Sequence, residues 1–328
     1  MALAIVLCIS LLLNLRFVSD RARKAGTGLH VMESQPERLE ERVVLSGSDA
    51  TRIALISLRG LIGSNVPGRM GISMVDDIKA QLRQAENDSR VKAVVLAIDS
   101  PGGEVTASDI LYNAVCRVRA RKPVVISMGS VAASGGYYIS CGGSYLFASE
   151  TTFTGSIGVI IQSFRYNDLL GKIGVTPVTF KSGAFKDMLN GAREMTPQEK
   201  EYVQGLVMQT YGKFVGIVAK ERHLPEEQLR SGIADGRIVT GRDALEAKLI
   251  NGLGEIEDAY KKARELGNAP GAAIIAYEQP FRLSRLFRAF SSQAAESSQG
   301  KVEINLAQGL LPQLEPGKAY LLPSMYVP

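Results

Sequence analysis

Apolar residues in this chain fall into two kinds of run. Residues 53–58 (IALISL), 91–99 (VKAVVLAID), 123–130 (PVVISMGS), 145–149 (YLFAS) and 156–163 (SIGVIIQS) are short and nearly unbroken. Such runs, with little polar alternation, predict strands buried on both faces. Residues 176–183 (TPVTFKSG) also read as extended. Between these runs, apolar positions recur every three or four residues, as on one face of a helix. Ser73, with Asp76 as its capping partner, opens a helix that places Met74, Val75, Ile78, Leu82 and Ala85 together. Ile110, Leu111, Ala114, Val115 and Val118 mark a second, and Asn167–Ile173 a third. Thr196-Pro197-Gln198-Glu199 is a strong start signal, with a Thr cap, Pro at the first helical position and Glu at the third. That helix continues through Tyr211, Phe214 and Val218. Thr240 opens a shorter one with Ala244, Leu245 and Leu249. Strands alternating with helices predict an α/β fold built from strand–strand–helix or strand–helix units.

The two ends read differently. Residues 2–14 (ALAIVLCISLLLN) are almost wholly apolar, and residues 1–18 are expected to form an N-terminal membrane segment. The unbroken part is short for a span, which needs about 20 residues. A secretory leader would show a positive start and an A-x-A cleavage site, and neither occurs. An anchor ordinarily opens with a few polar residues, so some ahead of Met1 are expected to be missing. Arg16, Arg21, Arg23 and Lys24 follow the apolar run, which by the positive-inside rule would favour a cytoplasmic body. Residues 19–50 are mostly polar and are expected to be a linker, with the folded domain over 51–290. Residues 291–300 (SSQAAESSQG) form a low-complexity linker, and a Pro- and Leu-rich tail ends the chain at 328.

Composition removes several classes of function. The formal charge of +5 is spread along the chain without a nucleic-acid-binding signature, so no nucleic-acid partner is expected. The three cysteines, Cys8, Cys116 and Cys141, lack C-x-x-C spacing, which disfavours a zinc or redox site. A Cys116–Cys141 disulfide has no support beyond the count. No G-x-G-x-x-G follows the first strand and no G-K-[ST] triplet exists, which disfavours dinucleotide and P-loop folds. Only two histidines occur, His30 and His223, the latter in a charged stretch ahead of Pro225. They make a poor metal site and a poor catalytic base.

The candidate chemistry lies where the strand at 123–130 ends. MGSVAASGGYY (128–138) runs through small residues into Ser134, with Gly135 next and a helix carrying Tyr137 and Tyr138 after it. A serine at a helix start has free N–H groups beside it, and the Gly135 N–H is placed to hold an oxyanion. The same Ala-Ser-Gly-Gly would equally serve a close strand–helix crossing. The turn Ser100-Pro101-Gly102-Gly103 offers a second glycine N–H, or is an ordinary type II turn. With histidine scarce, a Ser-His-Asp triad is poorly supported, and a lysine can serve as the base of a serine nucleophile when it is neutral. KSGAFKDML (181–189) offers Lys181 and Lys186. Phe185, Met188 and Leu189 give Lys186 the more apolar neighbourhood, while Asp187 suits a surface lysine.

Asp99-Ser100-Pro101-Gly102-Gly103, MGSVAASGGYYIS, Thr154-Gly155-Ser156-Ile157-Gly158, KSGAFKD, REMT (193–196) and ADGRIVTGRDALEAKLINGLG (234–254) occur in that order. Together, over about 51–265, they resemble the bacterial signal peptide peptidase A family of serine peptidases. The resemblance implies Ser134 as nucleophile, Lys186 rather than Lys181 as general base, and Ser156 as the residue orienting that lysine. It implies Gly103 and Gly135 as the oxyanion hole. It also implies the spiral of strand–strand–helix units shared by Clp protease and the crotonases. The dyad falls in one domain, as in the short members that assemble into homo-oligomeric rings with sites near subunit boundaries. No cofactor and no metal is implied. The expected substrates are cleaved signal peptides and similar hydrophobic segments, cut at the cell membrane by a single-pass protein with an extracytoplasmic catalytic domain. That placement opposes the charge pattern after residue 16. A related membrane-protein quality-control peptidase, a crotonase-type acyl-CoA enzyme and a non-catalytic scaffold are the rival readings. The tail has no counterpart in the resemblance, and its Leu/Pro-rich end is expected to dock in an apolar substrate groove.

Overall fold

The computed structural model describes residues 38–64, 73–278 and 320–321. In chain order the strands are β1 (Glu40–Leu45), β2 (Ser48–Arg59), β3 (Val91–Ser100), β4 (Gly103–Glu104), β5 (Val124–Ala133), β6 (Tyr145–Ala148), β7 (Phe153–Gly155), β8 (Ile238–Thr240), β9 (Gly252–Leu253), β10 (Ala272–Glu278) and β11 (Tyr320–Leu321). The helices are α1 (Met74–Asn87), α2 (Val105–Arg119), α3 (Gly135–Ser140), α4 (Asn167–Lys172), α5 (Pro197–Arg222), α6 (Glu226–Arg230), α7 (Gly241–Glu246) and α8 (Ile256–Leu266). The fold is mixed α/β around a central sheet in the order β1-β10-β2-β3-β5-β6-β9, with β7 beside the end of β5 and β8 beside β7. The strands from β10 to β9 pair in parallel, while β1 and β8 pair antiparallel.

The unbroken apolar runs follow from cover on both faces of this sheet. Ala54, Ile56, Val94, Leu96, Ile98 and Ile126 point toward the cluster completed by α1, α2, α3 and the Phe214–Val218 stretch of α5. The alternate residues Ile53, Ala93, Val95, Val125 and Ile274 pack with Ala259 and Ala263 of α8. A strand so placed has no solvent face to mark with polar residues. The helix starts read from sequence are built as expected. The Ser73 hydroxyl accepts from the Asp76 N–H, and Thr196 with Glu199 and Thr240 with Asp243 form reciprocal capping boxes.

Several expectations are corrected. The expected linker over 19–50 ends early, because Glu40–Leu45 pairs with β10 and Ser48 already belongs to β2. This edge strand hides in sequence because its side chains stay largely exposed while its backbone pairs. Residues 156–163 form no strand; among the described residues a single bridge, at Ile160, is all the pairing there. Residues 176–183 are exposed and likewise form no strand. Cys116 and Cys141 are free thiols. Burial pushes the Cys141 thiol up to about 12, so it stays protonated and unreactive. Residues 1–18, His30 and the boundary at 290 lie outside the described residues. Among the described residues no helix is long and apolar enough to cross a membrane, and no cluster of His, Cys, Asp and Glu fits a metal ion.

Candidate active site

β5 delivers Ser134 to the sheet's C-terminal edge. Its last residue, Ala133, pairs with Gly155 of β7, and the Ser134 N–H donates to the Gly155 carbonyl at 2.8 Å. The chain then turns sharply. Ser134 has φ 51° and ψ −112°, a left-handed conformation rare for a residue with a side chain. The Ser134 carbonyl accepts from the Tyr138 N–H at 2.8 Å, which starts α3. Two buried tyrosines fix this short helix. Tyr137 donates to the Leu249 carbonyl at 2.9 Å, and Tyr138 to Asp109 Oδ1 at 2.7 Å. Packing thus holds Ser134 in its strained turn. Ser134 is fully buried, and its Oγ has no hydrogen-bond partner. Buried hydroxyls are rarely left so, and a strained, unpartnered serine is the kind of exception that marks a site.

Two glycines face it. Gly102 and Gly103 close the turn after β3, held by Ile62, which donates to the Gly102 carbonyl and accepts from the Glu104 N–H, each at 2.8 Å. A Cβ on Gly103 would lie 1.9 Å from the Ile62 oxygen, so no other residue fits without moving the Ile62 backbone. A Cβ on Gly135 would lie 3.1 Å from the Gly103 nitrogen and 2.6 Å from Ser108 Oγ. The backbones of Gly103 and Gly135 are therefore neighbours, with Gly135 among the first α3 residues, whose N–H groups have no acceptor within the helix. Such a pair of amides is suited to an anionic oxygen.

Ser156 joins them from the adjacent strand end. It follows Gly155, the residue paired with Ala133, is buried, and has φ 50°. Its N–H donates to the Arg237 carbonyl at 2.8 Å. Ser134 and Ser156 are thus the two residues that follow a paired position at the ends of β5 and β7.

Lys186 is not brought to them within this chain. It sits on a single 3₁₀ turn, Ala184–Asp187, in an exposed segment, and Ser134 Oγ has no bond to it. The turn is clamped from beside it. Lys181 Nζ meets Asp187 Oδ1 at 2.7 Å, Arg193 Nε meets Asp187 Oδ2 at 2.9 Å, and Arg193 also reaches Glu199 Oε2 at 2.9 Å. Glu199 is the capping-box residue of α5, so the clamp ties the lysine turn to that helix. Arg193 and Lys181 hold the Asp187 carboxyl well below its usual range, and Arg193 together with the Thr196 N–H lowers Glu199 to about 2. Lys181, the other candidate base, is thereby committed to an ion pair. Arg193 was not singled out from sequence; its only signal was its place in REMT. His223 caps the end of α5, exposed and left-handed.

A sequence model of peptidase family S49 matches residues 117–269, and one of Clp protease matches residues 65–152. A protein of Enterococcus faecium provisionally named signal peptide peptidase SppA is 34% identical over 257 residues, which cover 77% of this chain and 74% of that protein. Protease 4 of Salmonella typhi is 38% identical over 65% of this chain and 34% of its own length. The chloroplastic serine protease SPPA of Arabidopsis thaliana is 32% identical over 67% of this chain and 33% of its own. The chain thus spans about a third of these two longer relatives. With the E. faecium protein matched over most of both lengths, and the S49 match running from α2 through Ser134 and Lys186 to α8, the chain belongs to peptidase family S49 and is a serine peptidase.

Proposed function

We propose that this peptidase works through a Ser134–Lys186 dyad and degrades cleaved signal peptides and similar hydrophobic segments at the membrane. The observation that carries the reading is the buried, strained Ser134 with an unpartnered Oγ, set beside the amides of Gly103 and Gly135. Neutral Lys186 takes the Ser134 proton as Oγ attacks a peptide carbonyl. The Gly103 and Gly135 N–H groups hold the resulting oxyanion. Protonated Lys186 gives its proton to the leaving amine, and the acyl group remains on Ser134. Water, deprotonated by the same lysine, then releases it. Ser156 fixes the direction of the lysine.

The exposed segment around Lys186 supports assembly. Phe164, Leu169, Ile173, Val178 and Phe180 are 62%, 59%, 63%, 75% and 95% exposed. Apolar side chains this exposed along one segment call for cover. A homo-oligomeric ring supplies it and settles Lys186 against a Ser134 centre, with the catalytic domain outside the cytoplasm. A peptidase assay of the wild type, Ser134→Ala and Lys186→Ala on signal peptides and on unrelated polar peptides tests the reading. Activity confined to the wild type and greatest on signal peptides supports it. Equal activity in all three contradicts the dyad, and preference for membrane-protein substrates points to quality control instead.

A further inference from the structure

The stretch Ala234-Asp235-Gly236-Arg237 stood among the ordered motifs, and the reaction leaves it without a part. It lies beside Ser156. β7 sits between β5, which ends at the nucleophile, and β8, which follows this turn. Gly155 pairs with Ala133 on one edge and with Ile238 on the other. Gly155 and Ser156 then take φ 70° and 50° in succession. A serine keeps such a left-handed backbone only where its surroundings impose it. The Ser156 N–H is tied to the Arg237 carbonyl at 2.8 Å.

That carbonyl is itself held in place. Asp235 folds back on its own backbone, its Oδ1 accepting the Arg237 N–H at 3.1 Å, as in an Asx turn. The same oxygen accepts from Arg237 Nε at 2.8 Å, so one carboxylate grips both the backbone and the side chain of Arg237. The guanidinium lowers the Asp235 carboxyl to about 2, which keeps it an ionised acceptor at neutral and alkaline pH. Gly236, between them, has φ 93°, a conformation open to glycine. The turn passes close to the serine segment, since a Cβ on Gly158 would lie 3.2 Å from the Gly236 Cα. Behind it, Tyr211 of α5 donates to the carbonyl of the buried Ala234 at 2.6 Å. Asp235 and Arg237 are both exposed, so packing in the core does not account for them.

We infer that Asp235 is a positioning residue for Ser156, fixing through Arg237 the backbone from which the serine hydroxyl is presented to Lys186. The inference rests on the reading of Ser156 as the residue that directs the lysine, and extends it to the turn behind. Reach matters more than charge. An oxygen one methylene from the backbone meets the Arg237 N–H, as aspartate and asparagine provide; glutamate keeps the charge but sets the oxygen too far out. The substrate is not touched, so its binding is left alone.

The test is kcat and KM on one peptide, with thermal midpoints, for full-length Asp235→Asn, Asp235→Ala, Asp235→Glu, Ser156→Ala and the double variant Asp235→Ala/Ser156→Ala. Asp235→Asn is expected to keep wild-type kcat. Asp235→Ala and Asp235→Glu are expected to lose about 10–10²-fold in kcat at unchanged KM, the cost of a misplaced group. Wild-type kcat in both, or a loss in Asp235→Asn as large as theirs, overturns the inference; should Asp235→Ala fail to fold, the contrast of Asn with Glu decides alone. In the Ser156→Ala background, Asp235→Ala is expected to cost nothing further, because the serine it positions is gone. Losses that multiply instead overturn the inference, since they place Asp235 on a route that does not pass through Ser156. Wild-type kinetics in Ser156→Ala would remove the serine's own role and the inference with it, whereas a loss in Ser156→Ala beside full activity in Asp235→Ala overturns the inference and leaves that role standing.

Discussion

Replacing the serine that the account makes central should stabilise the protein while abolishing its activity. Ser134 Oγ is buried without a hydrogen-bond partner, and the residue is held at φ 51° and ψ −112°. An unsatisfied buried hydroxyl costs about 1–3 kcal/mol. Ser134→Ala removes that oxygen and leaves a small void, whose lost contacts offset part of the gain. The net expectation is about 1 kcal/mol of added stability, or about 2–4 °C in the melting midpoint of a domain of this size. Ser134→Gly also relieves the left-handed backbone, worth about 1–3 kcal/mol, against about 0.5–1 kcal/mol for glycine's greater freedom when unfolded. It is therefore expected to be at least as stable as the alanine variant. The assay is thermal unfolding of the three proteins at one concentration, with peptidase activity read in parallel. A midpoint that falls by several degrees in both variants refutes the reasoning, because it means that the hydroxyl makes a stabilising bond in the folded protein. A rise in midpoint with activity lost is the signature of a residue kept for chemistry at a cost in stability.

Other outcomes follow from the same geometry. Gly103→Ala drives a Cβ to within 1.9 Å of the Ile62 oxygen and displaces one oxyanion donor, so kcat should fall about 10²–10³-fold; wild-type kinetics would remove Gly103 from the site. Arg193→Ala frees Asp187 and Glu199 from their shared partner. Both carboxyls lie below their usual range when folded, so their contribution is complete above about pH 4.5 and is lost as the pH falls toward about 2. The melting midpoint of Arg193→Ala should therefore depend less on pH across that window than the wild type's, and an equal slope would contradict the clamp. Phe180→Ser and Val178→Ser change the exposed apolar segment and should shift the protein to smaller species in sedimentation, with specific activity lost in step; unchanged assembly would place the subunit contact elsewhere.

Much of this was legible because burial leaves marks in sequence. The unbroken runs at 53–58, 91–99 and 123–130 became the central strands, covered on both faces. The capping residues Ser73, Thr196 and Thr240 marked helix starts through hydrogen bonds that are local. What escaped was set by pairing rather than by side-chain burial. β1 is paired through its backbone while its side chains stay exposed, so its sequence reads as a linker. Residues 156–163 and 176–183 have strand-like composition but no partner strand among the described residues, beyond the bridge at Ile160. At the site, small residues in ordered motifs marked where the chain turns sharply at Ser134 and where the backbones of Gly103 and Gly135 come together. The separation of Lys186 from Ser134 was not implied, because the exposed segment that carries the lysine has no buried apolar run to mark its place. The clamp through Arg193 was also silent, since charged residues in an exposed stretch look alike until their partners are known.

The central claim, that Ser134 attacks with Lys186 as its base, is tested most directly by the rate at which a fluorophosphonate modifies the assembled enzyme between about pH 6 and about pH 10, with the modified residue located by mass spectrometry. The account predicts a single adduct on Ser134 whose rate of formation rises with pH, as base catalysis requires, and which forms about 10²–10⁴-fold more slowly in Lys186→Ala. An adduct on another serine, or equal rates in the wild type and Lys186→Ala, would contradict it.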